Sequence, residues 1–107
     1  MEGRRERVVF VTGNGNRVVL SENCYDLSHP SFANDGLITF ECAREQAGPE
    51  ILHSVVVVRT TGQSVKEIEH CQDPIWIDRS ELLCKSETVN TDGKLQLKAE
   101  RYRISSE

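Results

Sequence analysis

The chain has no long apolar run, and its longest ones, such as Val55–Val58, have only the length of a strand. A helix that crosses a bilayer needs about 20 apolar residues, so the sequence predicts no membrane partner. The apolar residues 8–11 that follow the charged start are fewer than the roughly 7–15 of a secretory signal. No Asn-x-Ser/Thr sequon occurs either. We therefore expect a cytoplasmic or nuclear protein.

The cysteines do not form a closely spaced pair. Cys24, Cys42, Cys71 and Cys84 are separated by 18, 29 and 13 residues, whereas a structural zinc site usually begins with a pair such as C-x2-C. We therefore expect no metal and no cofactor. Cys42 and Cys84 lie within or directly after apolar runs, which predicts buried free thiols. Two disulfides are the alternative, in any of three pairings between which the sequence cannot choose.

The common motifs of nucleotide binding and hydrolysis are also missing. Gly13-Asn14-Gly15 continues neither into the Gly-Lys-Ser/Thr of a phosphate loop nor into the third glycine of a dinucleotide site, and neither Gly-x-Ser-x-Gly nor His-Glu-x-x-His occurs. The prediction leans towards a protein that is not an enzyme. A small enzyme remains as an alternative, because one polar stretch, 21–36, holds a thiol, an imidazole and two aspartates that could act together. These are Cys24, His29, Asp26 and Asp35.

Aromatic residues and excess positive charge are scarce. The chain has six aromatics in all (one Trp, two Tyr and three Phe) and a net charge of −4, which makes nucleic acid an unlikely partner. The alternative is a small barrel of the oligonucleotide-binding kind, with basic strand faces that bind single strands beside Tyr102. Its candidate residues are Arg4, Arg5, Arg7 and Arg17 at the first hairpin, and Lys98, Arg101 and Arg103 on the last strand.

The patterns that are present indicate strands. Apolar residues flank the turn 12–16, which predicts a hairpin over 6–20, and Val55–Val58 indicates a central strand covered on both faces. Ser64 and Glu67 match a capping box, which predicts one short helix. A change of face in Lys94–Ile104 predicts either a bulge or a strand that crosses between two packing layers. Residues 1–107 should form a single mainly β domain, an antiparallel sandwich or small barrel of about six strands. An α+β fold with a helical Phe40–Ala47 is the alternative.

The missing chemistry makes a non-enzymatic protein-interaction domain the default hypothesis for function. Its predicted partner is another protein, and the sequence does not indicate an oligomeric state. The polar stretch 21–36 has the composition of a long loop, and the candidate surface is its part Cys24–Gly36. Aromatic side chains outside a strand pattern can anchor a partner. We therefore predict that Tyr25, His29 and Phe32 bind the partner.

Overall fold

A computed structural model describes residues 5–33 and 36–104. These residues form eight strands and no helix, and so no helix that could cross a membrane. The strands are β1 (Arg5–Val11), β2 (Arg17–Phe32), β3 (Leu37–Ala47), β4 (Glu50–Arg59), β5 (Ser64–Glu69), β6 (Cys71–Trp76), β7 (Glu81–Val89) and β8 (Leu95–Arg103).

Each strand pairs with its neighbour in the chain, which gives two antiparallel sheets. One sheet has the order β1-β2-β3-β4-β5 and the other the order β6-β7-β8. The mainly β, antiparallel prediction is confirmed. The α+β alternative is wrong, because Leu37–Ala47 is strand throughout and pairs with β4.

The predicted short helix is wrong as well. Ser64–Glu69 is β5, in which Ile68 is buried while Lys66 and Glu67 are exposed. A capping box favours a helix only locally, and here the free edge of β4 supplies backbone partners instead. The bulge predicted in the last strand is also absent, because the register between β7 and β8 continues without a shift.

The middle strands β3 and β4 are covered on both faces. Successive side chains of a strand point to opposite faces, so the run 55–58 supplies two separate cores. Val55 and Val57 join a cluster that lies between the two sheets, whereas Val56 and Val58 join a cluster covered by the β1–β2 hairpin. The first cluster also contains Leu37, Ile68, Cys71, Leu82, Cys84 and Ile104, and the second Leu20, Cys24, Ile38, Phe40 and Cys42.

Truncation of either valine in the hairpin-covered core should destabilise the fold. Val56→Ala and Val58→Ala each remove buried methyl groups and leave a cavity, so we expect each to lower the free energy of unfolding by about 1–3 kcal/mol. The matched control is Val11→Ala on β1, because Val11 is 58% exposed. Urea denaturation of the three variants measures the difference. A loss for Val11→Ala equal to the others would contradict this assignment of the core.

The cysteines are paired, so the prediction of free thiols is wrong. Cys24 bonds Cys42 and Cys71 bonds Cys84, and no cysteine of the chain is free. The bonds join β2 to β3 and β6 to β7, with Cα–Cα distances of 5.1 and 6.0 Å, within the range that disulfides need. Stable disulfides are typical of oxidising compartments. The cysteines therefore no longer support the prediction of a cytoplasmic or nuclear protein.

The predicted long loop over 21–36 is mostly strand, because β2 extends to Phe32. Two bulges accommodate its polar residues. From Tyr25 to Ser28 the register advances by three residues along β2 but by only two along β3, so β2 contains one extra residue. The same shift occurs from Ser28 to Ser31. Asp26 and His29, with φ of 50° and 52°, lie at these bulges. Asp, Asn and His adopt positive φ more readily than other non-glycine residues, so the same residues that indicate a loop also permit a bulged strand.

Candidate functional site

A shallow depression lies where the end of β2 meets the connection between β6 and β7. Its volume is about 240 Å³, and we call it the Phe32 depression. Two short segments of the chain supply its lining. They contribute Phe32 and Ala33 from the first segment, and Trp76, Ile77, Asp78 and Arg79 from the second.

Two large apolar side chains of the Phe32 depression are open to solvent. Phe32 is 62% exposed and Ile77 is 46% exposed. The ring of Phe32 lies 6.0 Å from that of Phe10, centroid to centroid, with the planes tilted by 56°, which is a favourable distance for an aromatic pair. Phe10 itself packs against the hairpin-covered core. The ring of Phe32 therefore contacts another aromatic ring, while most of its surface is exposed to solvent.

The connection between β6 and β7 is held by a set of local hydrogen bonds. Asp78 Oδ1 accepts hydrogen bonds from the backbone N–H groups of Ser80 and Glu81, both at 2.8 Å. Ile77 N–H donates to the carbonyl of Glu81 at 2.9 Å. The hydrogen bond from Ser80 N–H lowers the pKa of Asp78 below its ordinary value. A fixed negative charge therefore stands beside Arg79 at the rim of the depression.

Trp76 also lines the Phe32 depression. Its side chain is half-buried and packs against the core cluster between the sheets. Within residues 5–33 and 36–104, Trp76 Nε1 is the buried side-chain polar atom without a hydrogen-bond partner. A buried N–H group without an acceptor costs about 1–3 kcal/mol. An acceptor that reached this atom would therefore gain a hydrogen bond.

A second polar site, the His29 cluster, joins the two sheets. His29 Nδ1 lies 3.6 Å from Glu41 Oε1 on β3, and His29 Nε2 lies 3.3 Å from Asp73 Oδ1 on β6. Glu41 is buried, and its carboxylate accepts hydrogen bonds from Ser28 Oγ at 2.7 Å and from Asp73 N–H at 2.6 Å. Lys85 Nζ faces the other oxygen of Asp73 at 3.2 Å. The second bulged segment of β2, Ser28–Ser31, therefore supplies contacts that connect the sheets.

The His29 cluster has the ligand types of a metal site but not its arrangement. Ligand atoms of His29, Glu41 and Asp73 lie within 4.8 Å of one another. However, the two ring nitrogens face different carboxylates, and one imidazole cannot direct both nitrogens at the same ion. Both oxygens of Glu41 already accept hydrogen bonds, and Lys85 supplies a positive charge beside Asp73. The geometry is that of a charge-balanced contact between sheets.

A buried glutamate on β7 forms a third polar site. Glu87 Oε1 accepts a hydrogen bond from His53 N–H at 2.7 Å, and Oε2 accepts one from Gln72 Nε2 at 2.6 Å and lies 2.7 Å from His53 Nδ1. The Glu87 side chain has no exposed surface. This cluster connects β4, β6 and β7. The sequence does not indicate this cluster, because Glu87 lies in a segment, 81–89, without a clear helix or strand pattern.

The three residues predicted to bind a partner do not share one surface. Phe32 lines the depression, whereas His29 belongs to the cluster between the sheets. Tyr25 is half-buried in the middle of the first sheet, where its backbone lies opposite β1 on one side and Ala43 of β3 on the other. Cys24 is bonded to Cys42 and fully buried. The alternative of an enzyme that uses Cys24 and His29 therefore lacks its thiol.

The basic residues of the nucleic-acid alternative lie on different sheets. Arg4 lies outside the described residues, and the side chain of Arg5 is not described. Arg101 Nε and Arg103 Nη2 both approach Glu81, at 3.5 and 3.7 Å, which neutralises part of their charge. The remaining candidates are exposed, Arg7 and Arg17 on the β1–β2 hairpin and Lys98 on β8.

In comparisons with known proteins, the chain matches no protein-family model, no curated protein and no solved structure.

Proposed function

We propose that the protein is a non-enzymatic module that binds another protein through the Phe32 depression. The observation that carries the proposal is the exposure of Phe32 and Ile77 on one concave surface. Exposed apolar side chains grouped in this way are typical of places where a partner inserts an anchor residue. Trp76, which lines the same depression, adds an aromatic side chain of the kind that is enriched at interfaces.

The Phe32 depression is also preorganised for binding. The Asp78 carboxylate accepts two hydrogen bonds from backbone N–H groups of the turn, and the Phe32 ring lies beside that of Phe10. A surface that is already ordered loses less conformational entropy when a partner binds. Asp78 and Arg79 place charges of both signs at the rim. The partner that fits is therefore a peptide segment with one apolar or aromatic anchor and charged residues beside it.

A selection from a peptide library displayed on phage, with the folded protein immobilised, supplies a probe for this surface. The selected peptides should contain an apolar anchor, and their binding should change the fluorescence of Trp76, the one tryptophan of the chain. Phe32→Ser and Ile77→Ser should each weaken the best peptide by about tenfold or more, because both changes remove central apolar contact area. Titration followed by tryptophan fluorescence measures the affinity.

Val11→Ser is the matched control, since Val11 is similarly exposed but lies on β1 outside the depression. Peptide binding should be unchanged in this variant, and all three variants should remain folded in urea denaturation. Selection of no peptide above background would contradict the proposed function. An affinity that falls equally in Val11→Ser and Phe32→Ser would contradict it as well.

A further inference from the structure

A second depression, of about 280 Å³, lies at the end of the β4–β5 hairpin against the last residues of β8. Three cationic side chains, Arg59, Lys66 and Arg103, contribute to its lining. The rest of the lining consists of the polar Gln63 and Ser64 and two aliphatic residues, with no carboxylate among the described residues that line it. We call it the Arg59 pocket.

The positive charge of the Arg59 pocket is only partly compensated. Arg103 Nη2 lies 3.7 Å from Glu81 Oε1, but the Arg103 side chain is 80% exposed, so this contact is screened by water. Lys66 Nζ lies 5.9 Å from the centre of the Tyr102 ring, which contributes a weak attraction. Arg59 is half-buried and has no ion pair in the described part of the chain. Three cations thus meet in a chain whose net charge is −4.

The backbone around the Arg59 pocket is held in place. Arg59 N–H donates to the carbonyl of Gln63 at 2.9 Å, and Gly62 N–H donates to the carbonyl of Arg59 at 2.9 Å. Gly62 has a φ of 94°, and a Cβ at this position would lie 3.2 Å from both the Val18 side chain and the carbonyl oxygen of Val19. The turn therefore needs glycine and packs closely on β2. This close packing fixes the backbone that carries Arg59.

We propose that the Arg59 pocket binds a tetrahedral oxyanion, the sulfate or phosphate group of an ester. A guanidinium group presents paired N–H donors that match two oxygens of such a group, and an ammonium group adds a positive charge from another direction. The hydroxyl of Ser64 supplies a neutral donor. Holding like charges together without a counterion is unfavourable, and an anion in the pocket removes that repulsion. This site is separate from the Phe32 depression, so the two proposals can fail independently.

Titration of the labelled protein with sodium sulfate and with sodium phosphate, followed by amide NMR shifts, tests the proposal. Sodium chloride at matched ionic strength is the reference for screening. We expect saturable shifts confined to residues 59–66 and 103–104, with a dissociation constant in the millimolar range. Arg59→Gln and Lys66→Gln should each weaken binding by about tenfold, because each removes a charge-assisted hydrogen bond. Arg17→Gln, an exposed arginine on the first hairpin, should leave the affinity unchanged.

Saturable binding of either anion supports the proposal, and the anion that binds more tightly identifies the ester. Amide spectra of the unliganded variants establish that they are folded. Shifts that follow ionic strength and are equal in chloride would overturn the proposal. It would also fail if Arg17→Gln weakened binding as much as Arg59→Gln did.

Discussion

Replacement of both Cys71 and Cys84 by alanine should lower the free energy of unfolding by about 3 kcal/mol. A cross-link that closes a loop of roughly 15 residues restricts the unfolded chain by about this amount, and removal of a native disulfide commonly costs about 2–5 kcal/mol. The pair spans 13 residues and lies in the core between the two sheets. The double variant Cys24→Ala with Cys42→Ala, which opens a loop of 18 residues, should lose a similar amount. Urea denaturation of each double variant measures the loss.

The wild-type protein treated with a thiol reductant provides the comparison for both double variants. Reduction should shift its urea midpoint downwards, and in each double variant it should act only through the remaining disulfide. The pairing itself is checked by alkylation without prior reduction, in which mass spectrometry should find no labelled cysteine. Labelling of all four cysteines, or a urea midpoint that reductant does not change, would contradict the disulfide assignment.

Local signals predicted the elements that depend on neighbours in the chain. The turn 12–16 between two apolar segments predicted the first hairpin, and the structure has β1 and β2 joined at this turn. The run 55–58 predicted a central strand, and β4 lies between β3 and β5. Both predictions are confirmed. Glycine and asparagine favour the turns of hairpins, and β-branched residues are enriched in strands.

The cysteine pairing depended on information that local signals lack. Cys24 meets Cys42 because a bulged β2 pairs with β3, and Cys71 meets Cys84 because β6 pairs with β7. Register between strands follows from packing and turns throughout the sheet, and sequence spacing does not reveal it. The segment Ser64–Glu69 is a similar case. Its capping box predicted a helix, but backbone pairing with the edge of β4 makes it strand β5.

The candidate site was predictable only in part. Phe32 was identified as an aromatic outside a strand pattern, and the structure leaves it exposed. Ile77 and Asp78 belong to a distant segment, and only the packing of the two sheets brings them beside Phe32. Thr39 and Glu41 alternate with the apolar residues Ile38, Phe40 and Cys42, a pattern typical of an exposed polar face, yet both are buried. That face became buried because the second sheet covers it, which no periodicity within β3 could indicate.

The acidic side chain at position 87 should matter more to stability than any exposed acidic residue. We expect Glu87→Ala to lower the free energy of unfolding by about 3–5 kcal/mol, because removal of one partner from a buried charged cluster leaves the other groups without compensation. His53 N–H and Gln72 Nε2 would both lose their acceptor. Glu87→Gln should fall between Ala and wild type, since it keeps the side-chain volume and one acceptor oxygen. Urea denaturation measures all three proteins.

Glu69→Ala is the matched control for this prediction. Glu69 lies on β5 and is exposed, so its removal should change the free energy of unfolding by less than about 0.5 kcal/mol. Hydrogen exchange gives a second reading, because the amide of His53 should exchange much faster in Glu87→Ala than in the wild-type protein. The amide of Val57, farther along β4, should be affected only to the extent that the whole fold is destabilised. If Glu87→Ala cost no more than Glu69→Ala, the contact of this carboxylate with β4 would contribute nothing measurable to the stability of the fold.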